Sequence, residues 1–362
     1  SRPVAVDYGS TTGVVVFYGA NDGMLRAING NQTGTGAGDE LWAFVAPEHF
    51  SRFDRIYNNT TKIDFPSLND PAKQKPYFFD GPVSAYKNGS TVWIFATQRR
   101  GGRMIYGFDV STPASPTIKW RAGCTGSTDA SCTSVTDFSG IGQTWSAPRV
   151  IRTQTTGTTT PLVIFGGGYD ACEDTDNGTT NNSCTAPKGN QVYVLNADTG
   201  AVVKQFSTLR SVVGDVTIVR NASGLAEYGY TADTGGNVYR IKLTGASAST
   251  DWSITRIAAL GRDTVPASST DGNSARKFMY GPEVVVVSSR GYNAVLLGSG
   301  DREHPLPTHT ATAAVQNYFY MLMDKPSDAS WLSAESAACG SALLCHASLL
   351  NIVATSTATV AK

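Results

Sequence analysis

The feature of this sequence that most restricts its fold is a strand–turn–strand unit that recurs five times along the 362 residues. In each unit an apolar run ends in a turn containing Gly or Asp, and a second segment with alternating Tyr, Val and Ile follows. The turns fall near residues 22, 101, 189, 235 and 300, so the repeat has received insertions of unequal length. A unit that recurs in this way indicates a repeat architecture rather than a single irregular sheet.

Most units also have a further strand-like segment on each side, which gives four short antiparallel strands per unit. A sheet of this size cannot cover both of its own faces, so we predict an all-β chain in which the sheets stack radially as a β-propeller. A large antiparallel sandwich is the alternative, but sandwiches seldom repeat one strand–turn–strand pattern. The predicted blade cores lie near 14–45, 81–121, 146–206, 213–257 and 281–324 of a single domain over residues 1–362.

The four-strand pattern is incomplete at both ends of the repeat region. The first unit lacks a clear preceding strand, and residues 325–362 do not read as a further blade. Ser333–Val353 is rich in Ala, Leu and Ser and is compatible with a helix, whereas Thr355–Val360 is compatible with a strand. We expect this tail to close the ring onto the first sheet, because an open propeller leaves exposed sheet edges.

Composition excludes some functions. Lys plus Arg and Asp plus Glu both number 29, and there is no basic stripe, so we expect no nucleic-acid partner. Hydrophobic residues make up 41% of the chain, but none of the apolar runs approaches the length of a membrane helix. The chain opens at Ser1 without a signal peptide, and we therefore expect a C-terminal fragment of a longer exported protein.

The six cysteines fall into three neighbouring pairs, each of which closes a short loop. Fifteen connectivities are possible, and local pairing is the hypothesis that we favour over six free thiols. Disulfides of this kind indicate an oxidising, extracytoplasmic compartment. The predicted pairs are Cys124–Cys132, Cys172–Cys184 and Cys339–Cys345.

Several turn motifs resemble those of the PilC/PilY proteins of type IV pili. The matching segments are YGANDGML at 18–25, YFFDGP at 77–82, FSGIGQTWS at 138–146 and GSGDRE at 298–303. The resemblance extends from about residue 14 to 324 and implies the C-terminal domain of that family, a modified propeller with seven blades, two more than the repeats that can be read here.

The resemblance also implies a calcium loop of the form D-x-D-x-D-G-x-x-D, which here corresponds to residues 219–227. Asn221, Ser223 and Glu227 occupy ligand positions, and Gly224 retains the turn. Only one of four carboxylates remains, and Arg220 brings a positive charge beside the site. Because calcium affinity follows the charge of the ligands, we expect weak binding or none.

The resemblance implies a non-enzymatic factor that promotes pilus assembly, opposes retraction and attaches to surfaces from the pilus tip, the outer membrane surface or the periplasm of a Gram-negative bacterium. Its expected partners are minor pilins and a host or abiotic surface. The candidate contact segments are the insertions Pro47–Pro76, Cys124–Gly140, Gly168–Gly189 and Asp301–Ala314.

Two other functions stay open. Asn196–Gly200 resembles a turn of quinoprotein dehydrogenase propellers, although the chain lacks the adjacent cysteines that accompany the quinone in those enzymes. A general protein-interaction propeller from another exported system is the second alternative.

Overall fold

A computed structural model describes residues 1–9, 11–58, 63, 74–175, 187–262, 275–350 and 352. Within these ranges the strands form five separate sheets that follow one another along the chain. The pairing is antiparallel throughout, except that the last short strand pairs in parallel.

The first sheet contains β1 (Val4–Asp7), β2 (Val14–Gly19), β3 (Met24–Asn29) and β4 (Glu40–Val45). The second sheet contains β5 (Val83–Asn88), β6 (Thr91–Thr97), β7 (Arg103–Asp109) and β8 (Thr117–Cys124). The third sheet contains β9 (Arg149–Ile151), β10 (Leu162–Gly166), β11 (Gln191–Asn196) and β12 (Val202–Ser207). The fourth sheet contains β13 (Thr217–Arg220), β14 (Ala226–Ala232), β15 (Asn237–Lys242), β16 (Ser253–Ala259) and β20 (Leu344–Cys345). The fifth sheet contains β17 (Glu283–Val287), β18 (Tyr292–Gly298) and β19 (Phe319–Asp324).

The α-helices in the part of the chain that the structure describes are short and lie in connections or in the tail. They are α1 (Phe50–Asn58), α2 (Val135–Phe138), α3 (Thr310–Ala313) and α4 (Ser336–Cys339). None of the helices in the described ranges is long and apolar enough to cross a membrane.

The first four sheets share a structural detail as well as a strand order. In each of them the register shifts by one residue where the third strand pairs with the fourth. Such a bulge increases the local twist of the pair. The recurrence of one irregularity at one position confirms that these sheets are copies of the same unit.

Apolar clusters lie between consecutive sheets and account for the stacking. One cluster joins the first and second sheets, a second joins the second and third, a third joins the third and fourth, and a fourth joins the fourth and fifth. Neighbouring side chains of a strand point to opposite sides of a sheet, so each sheet can contribute side chains to the clusters on both of its faces.

Trp120 illustrates how closely two blades fit. Its indole Nε1 donates a hydrogen bond of 2.9 Å to the carbonyl oxygen of Ala197, which directly follows β11 of the third sheet. A Cβ at Gly107 would lie 2.5 Å from this ring, and one at Gly200 would lie 2.7 Å from it. Both glycines are therefore required by the close approach of the indole. Trp42 makes the equivalent hydrogen bond one blade earlier, to the carbonyl oxygen of Pro113 at 2.7 Å.

The first strands of the sheets surround a common axis. β5 contacts β1 and β9, and β13 contacts β17. Arg2 precedes the first sheet but donates a hydrogen bond of 2.8 Å to Asp215, which precedes the fourth. This arrangement of stacked sheets is the β-propeller that the sequence predicts.

Each of the five sheets overlaps one of the ranges predicted for a blade core, and one further strand was not predicted. β1 precedes the first unit, where the sequence pattern shows no clear strand, because four residues are too few to display an alternation. The fifth unit has three strands and exposes part of its outer face, including Val285, Phe319 and Met321. Five sheets are present in the described residues, and the seven blades implied by the resemblance stay a prediction.

The tail differs from the expected long helix over Ser333–Val353. A 3₁₀ turn and α4 are followed by β20, which pairs in parallel with β16 of the fourth sheet rather than with the first. Polar residues and Gly340, at a φ of 69°, interrupt the helix. Thr355–Val360, the proposed closing strand, lies outside the described residues.

Disulfides close two of the three predicted loops. Cys124 is bonded to Cys132, and Cys339 is bonded to Cys345. The second bond holds the tail in a small cluster with Leu343 against β16. The third predicted pair includes Cys184, which lies outside the described residues.

Candidate functional site

The longest connections all leave the sheets at the same end of the propeller. In an antiparallel sheet successive connections alternate between the two ends, so second-to-third strand loops and links to the next sheet share one end. At the other end the connections between consecutive strands of one sheet have ten residues or fewer, and the link 325–343 from β19 to the tail strand β20 is the exception. We call the end with the long connections the loop end and the opposite end the turn end. The five longest connections are 46–82, 125–148, 167–190, 260–282 and 299–318.

Trp145 lies where loops from three sheets meet at the loop end. The guanidinium carbons of Arg99, Arg100 and Arg302 lie 4.1, 5.2 and 5.3 Å from the centre of its ring. Tyr169 stacks on Trp145 with ring centres 4.7 Å apart. Cations over the face of an indole are attracted by the negative charge of its π system. The second, third and fifth sheets therefore share one aromatic and basic centre.

Carboxylates complete this centre. Arg100 pairs with Asp174 at 2.9 Å and with Glu303 at 2.7 Å, so it links the loops of three sheets. Burial alone would lower the pKa of the Arg100 guanidinium, but the hydrogen bonds and charges of these two carboxylates raise it overall. Arg99, a non-glycine residue with a left-handed backbone (φ 49°), also contacts Asp80 at 3.3 Å. Strained backbone of this kind is retained where surrounding contacts fix it.

A second polar network lies beneath the surface of the loop end. The buried Lys277 contacts Glu173 at 3.2 Å and Asp301 at 3.1 Å. Arg210 also pairs with Glu173, at 3.0 Å. The network therefore connects the third, fourth and fifth sheets through the ammonium group of one lysine.

His304 belongs to the same network and uses both ring nitrogens. Nδ1 lies 2.7 Å from Asp301 Oδ2, and Nε2 lies 3.0 Å from the backbone oxygen of Asp174. The hydrogen bond with Asp301 raises the pKa of His304. Burial alone would raise the pKa of Asp301, but His304 and Lys277 lower it overall. These contacts fix the orientation of the imidazole ring and join the connection 299–318 to the connection 167–190.

A cavity of about 440 Å³ opens on the axis at the loop end; it is lined by the first two residues of the chain and by residues of the second to fifth sheets and their connections. Its wall includes fixed ion pairs, since Asp215 accepts hydrogen bonds from both Arg2 and Arg149 at 2.8 and 3.0 Å. Tyr280 projects at its rim with 63% of its surface exposed and accepts a hydrogen bond from Arg302. The loop end thus combines a concave centre with exposed aromatic groups, as binding surfaces often do.

The predicted calcium residues lie at the turn end, between β13 and β14. Asn221 Oδ1 accepts hydrogen bonds from the backbone N–H groups of Ser223 and Leu225, both at 3.0 Å. Glu227 lies beyond the turn, within β14. Arg220 Nη1 donates to the carbonyl oxygen of Gly224 at 3.0 Å.

These residues do not fit calcium. A calcium cage needs six to eight oxygen ligands. Here the Asn221 side-chain oxygen accepts backbone hydrogen bonds within the turn, and the carbonyl oxygen of Gly224 accepts a hydrogen bond from the Arg220 guanidinium. Among the described residues there is also no cluster of three or more His, Cys, Asp or Glu side chains that could hold a metal.

Comparison with known proteins decides the family. The sequence profile of the PilY1 β-propeller domain matches residues 5–327. This chain belongs to the PilY1 family. Curated members include the type IV pilus biogenesis factor PilY1 of Pseudomonas aeruginosa, 23% identical over 246 residues, which cover 65% of this chain and 18% of that protein. A PilY1 homologue of Xylella fastidiosa is 24% identical over 315 residues, which cover 80% of this chain and 18% of that protein.

The solved structure of the C-terminal domain of P. aeruginosa PilY1 has the same fold. It superimposes with a TM-score of 0.56 at 18% identity and covers 88% of this chain and 58% of that structure. The chain thus spans about a fifth of the length of the curated PilY1 relatives. Membership of the PilY1 family confirms the resemblance seen in the turn motifs.

The centre around Trp145 could be predicted only in part from the sequence. Trp145 and Arg302 lie within PilY-like motifs, but their meeting point with Arg99 and Arg100 depends on the way distant loops converge. Lys277 carries no sequence signal, since the connection 260–282 that contains it has no recognisable motif.

Proposed function

We propose that this domain is a non-enzymatic interaction scaffold of the type IV pilus, which promotes pilus assembly and opposes retraction by binding pilin-type subunits at its loop end. The convergence of three sheets on Trp145 supports this proposal most strongly. A site tied together by ion pairs and stacking keeps its shape when a partner binds, which reduces the entropic cost of association.

Exposed apolar side chains at the loop end would supply the contact. Phe50 and Tyr57 of α1 are 61% and 89% exposed, and Tyr280 is 63% exposed. Aromatic residues are enriched at protein interfaces because they bury much surface with few rotatable bonds. The contact would therefore combine the insertion that contains α1 with the rim of the axial cavity.

The same face is our candidate for attachment to a host or abiotic surface, and it would place the domain at the pilus tip or the outer membrane surface. The disulfides Cys124–Cys132 and Cys339–Cys345 support an extracytoplasmic location, because such bonds persist in oxidising compartments.

The experiment is a binding assay between the purified domain and purified minor pilins from the same bacterium, read by biolayer interferometry. We expect the double variant Tyr57→Ala/Tyr280→Ala to bind at least about tenfold more weakly, as for central aromatic residues of other interfaces. Ile118→Ala is the matched control, since Ile118 is 51% exposed but lies on β8, away from the loop end.

The proposal fails if the wild-type domain binds none of the pilin-type subunits. It also fails if Ile118→Ala weakens binding as much as the double variant does. Oxidation of alcohols with a dye acceptor by the purified domain would favour the dehydrogenase alternative instead.

A further inference from the structure

A second cavity lies at the turn end, remote from the proposed pilin-binding face. Its volume is about 440 Å³, and it is bounded by the ends of β5, β9 and β13, the first strands of three consecutive sheets. The turn after β13, where PilY-like proteins are expected to hold a cation, forms one side through Arg220 and Gly224.

The charge of this cavity has a single sign. Lys87, Arg152 and Arg220 line it, and none of the Asp or Glu side chains that the structure describes does. Lys87 and Arg220 are held by backbone carbonyl groups, which fix their positions without cancelling their charge. Lys87 Nζ donates to the backbone oxygen of Asp7, and Arg220 Nη2 donates to that of Val150 at 3.0 Å.

Arg152 is the least committed of the three cations. Its side chain makes neither a hydrogen bond nor an ion pair with any other residue that the structure describes. Partial burial lowers the pKa of the neighbouring Arg220, and the positive charge of Arg152 lowers it further. The two guanidinium groups therefore repel each other in the absence of a compensating charge.

We propose that this cavity binds a tetrahedral oxyanion, a sulfate or phosphate group, between Arg152 and Arg220. Guanidinium groups present paired N–H donors that match the oxygen spacing of such anions, and Lys87 adds a point charge. Arg220 is already oriented by its bonds to Gly224 and Val150, so little freedom is lost on binding. A turn that carries cation ligands in the family pattern has thus become part of an anion site.

The test is isothermal titration calorimetry of the whole domain with sodium sulfate and with sodium phosphate, at ionic strength held constant with sodium chloride. We expect saturable 1:1 binding to the wild type. Arg152→Gln should weaken it about tenfold, the effect of losing charge-assisted hydrogen bonds. Because Arg152 supports no other described group, its substitution should leave the melting temperature without anion unchanged.

Two further variants separate the site from general charge effects. Arg220→Gln should also weaken binding, although it removes two structural hydrogen bonds as well. Arg290→Gln is the matched control, since Arg290 is an exposed arginine at the turn end, between β17 and β18, and does not line the cavity. A parallel titration with glucosamine 6-sulfate compares a sulfate group carried on a sugar with the free sulfate ion. Whichever of the two binds more tightly, saturable binding supports the proposed anion site.

The proposal is overturned if neither anion binds the wild type at low ionic strength. Equal binding by wild type and Arg152→Gln would also overturn it, as would an equal loss in Arg290→Gln, which would indicate a diffuse electrostatic effect. None of these outcomes depends on pilin binding, so the two proposals can fail independently.

Discussion

Replacing Trp120 by Phe tests whether adjacent blades are held together by the hydrogen bond of the indole as well as by apolar contact. Trp120 is only 8% exposed, and its Nε1 donates to the backbone oxygen of Ala197. Phe keeps an aromatic ring in the same position, stacked near Phe95. It removes the donor, however, and leaves a buried carbonyl group without a partner.

The expected loss follows from two contributions. An unsatisfied buried carbonyl costs about 2 kcal/mol in the free energy of unfolding. The smaller ring forfeits buried surface and leaves a small cavity, which costs about 1 kcal/mol more. The sum is about 3 kcal/mol. With an unfolding entropy of about 2.1 cal/mol/K for each of 362 residues, the melting temperature should fall by about 4 °C.

Trp42→Phe is the internal comparison, since Trp42 makes the equivalent bond one blade earlier but is only partly buried. Water can reach the carbonyl of Pro113 there, so the loss should be about 1 kcal/mol. Differential scanning calorimetry and urea unfolding measure both variants. Equal losses for the two substitutions, or a loss below about 1 kcal/mol for Trp120→Phe, would refute the assignment of the hydrogen bond as a main contact between blades.

Three further results are expected. A metal that binds only the folded chain raises its melting temperature. Because the turn at Asn221 does not fit calcium, millimolar calcium, or its removal by a chelator, should leave the melting temperature unchanged. A rise of several degrees would contradict this account of the turn. Burial lowers the pKa of His49 to about 4, so the free energy of unfolding should fall by up to about 3 kcal/mol as the pH drops from about 6.5 toward 4. Urea unfolding of His49→Leu should lack this pH dependence. The same pH profile in the variant as in the wild type would contradict the assignment to His49. Lys277→Met should destabilise the domain by about 3 kcal/mol, because Glu173 and Asp301 both lose a buried cationic partner and keep only Arg210 and His304. Lys119→Met should cost at most about 1 kcal/mol in the same assay, because the partner of Lys119, Asp198, is largely exposed.

The five sheets could be predicted because their information is local. Each unit carries its own alternation and its own turn, as in YGANDGML at 18–25, and radial stacking follows from the need to cover two apolar faces. β1 escaped prediction because Val4–Asp7 is too short to show a period. The position of β20 depends on its contact with β16, which no local pattern encodes.

The candidate sites were predictable to different degrees. The turn at Asn221 could be aligned with a calcium loop, and its loss of carboxylates was visible in the sequence. By contrast, Trp145 and Arg302 are 157 positions apart, and Lys277 gains its two acidic neighbours only through packing. The cavity around Arg152 likewise arises from the ends of three strands in three different sheets.

The separation of long and short connections onto opposite ends has a practical consequence for protein engineering. Strand register in each sheet is maintained by the tight turns at one end together with the interblade packing, so the length of a connection at the other end imposes little constraint on the framework. Foreign peptides could therefore be grafted into connections such as 125–148 or 299–318, at positions away from Trp145 and residues 301–304, and displayed next to one another. The domain would then act as a display scaffold in which the grafted peptides are exchanged and the five sheets are unchanged.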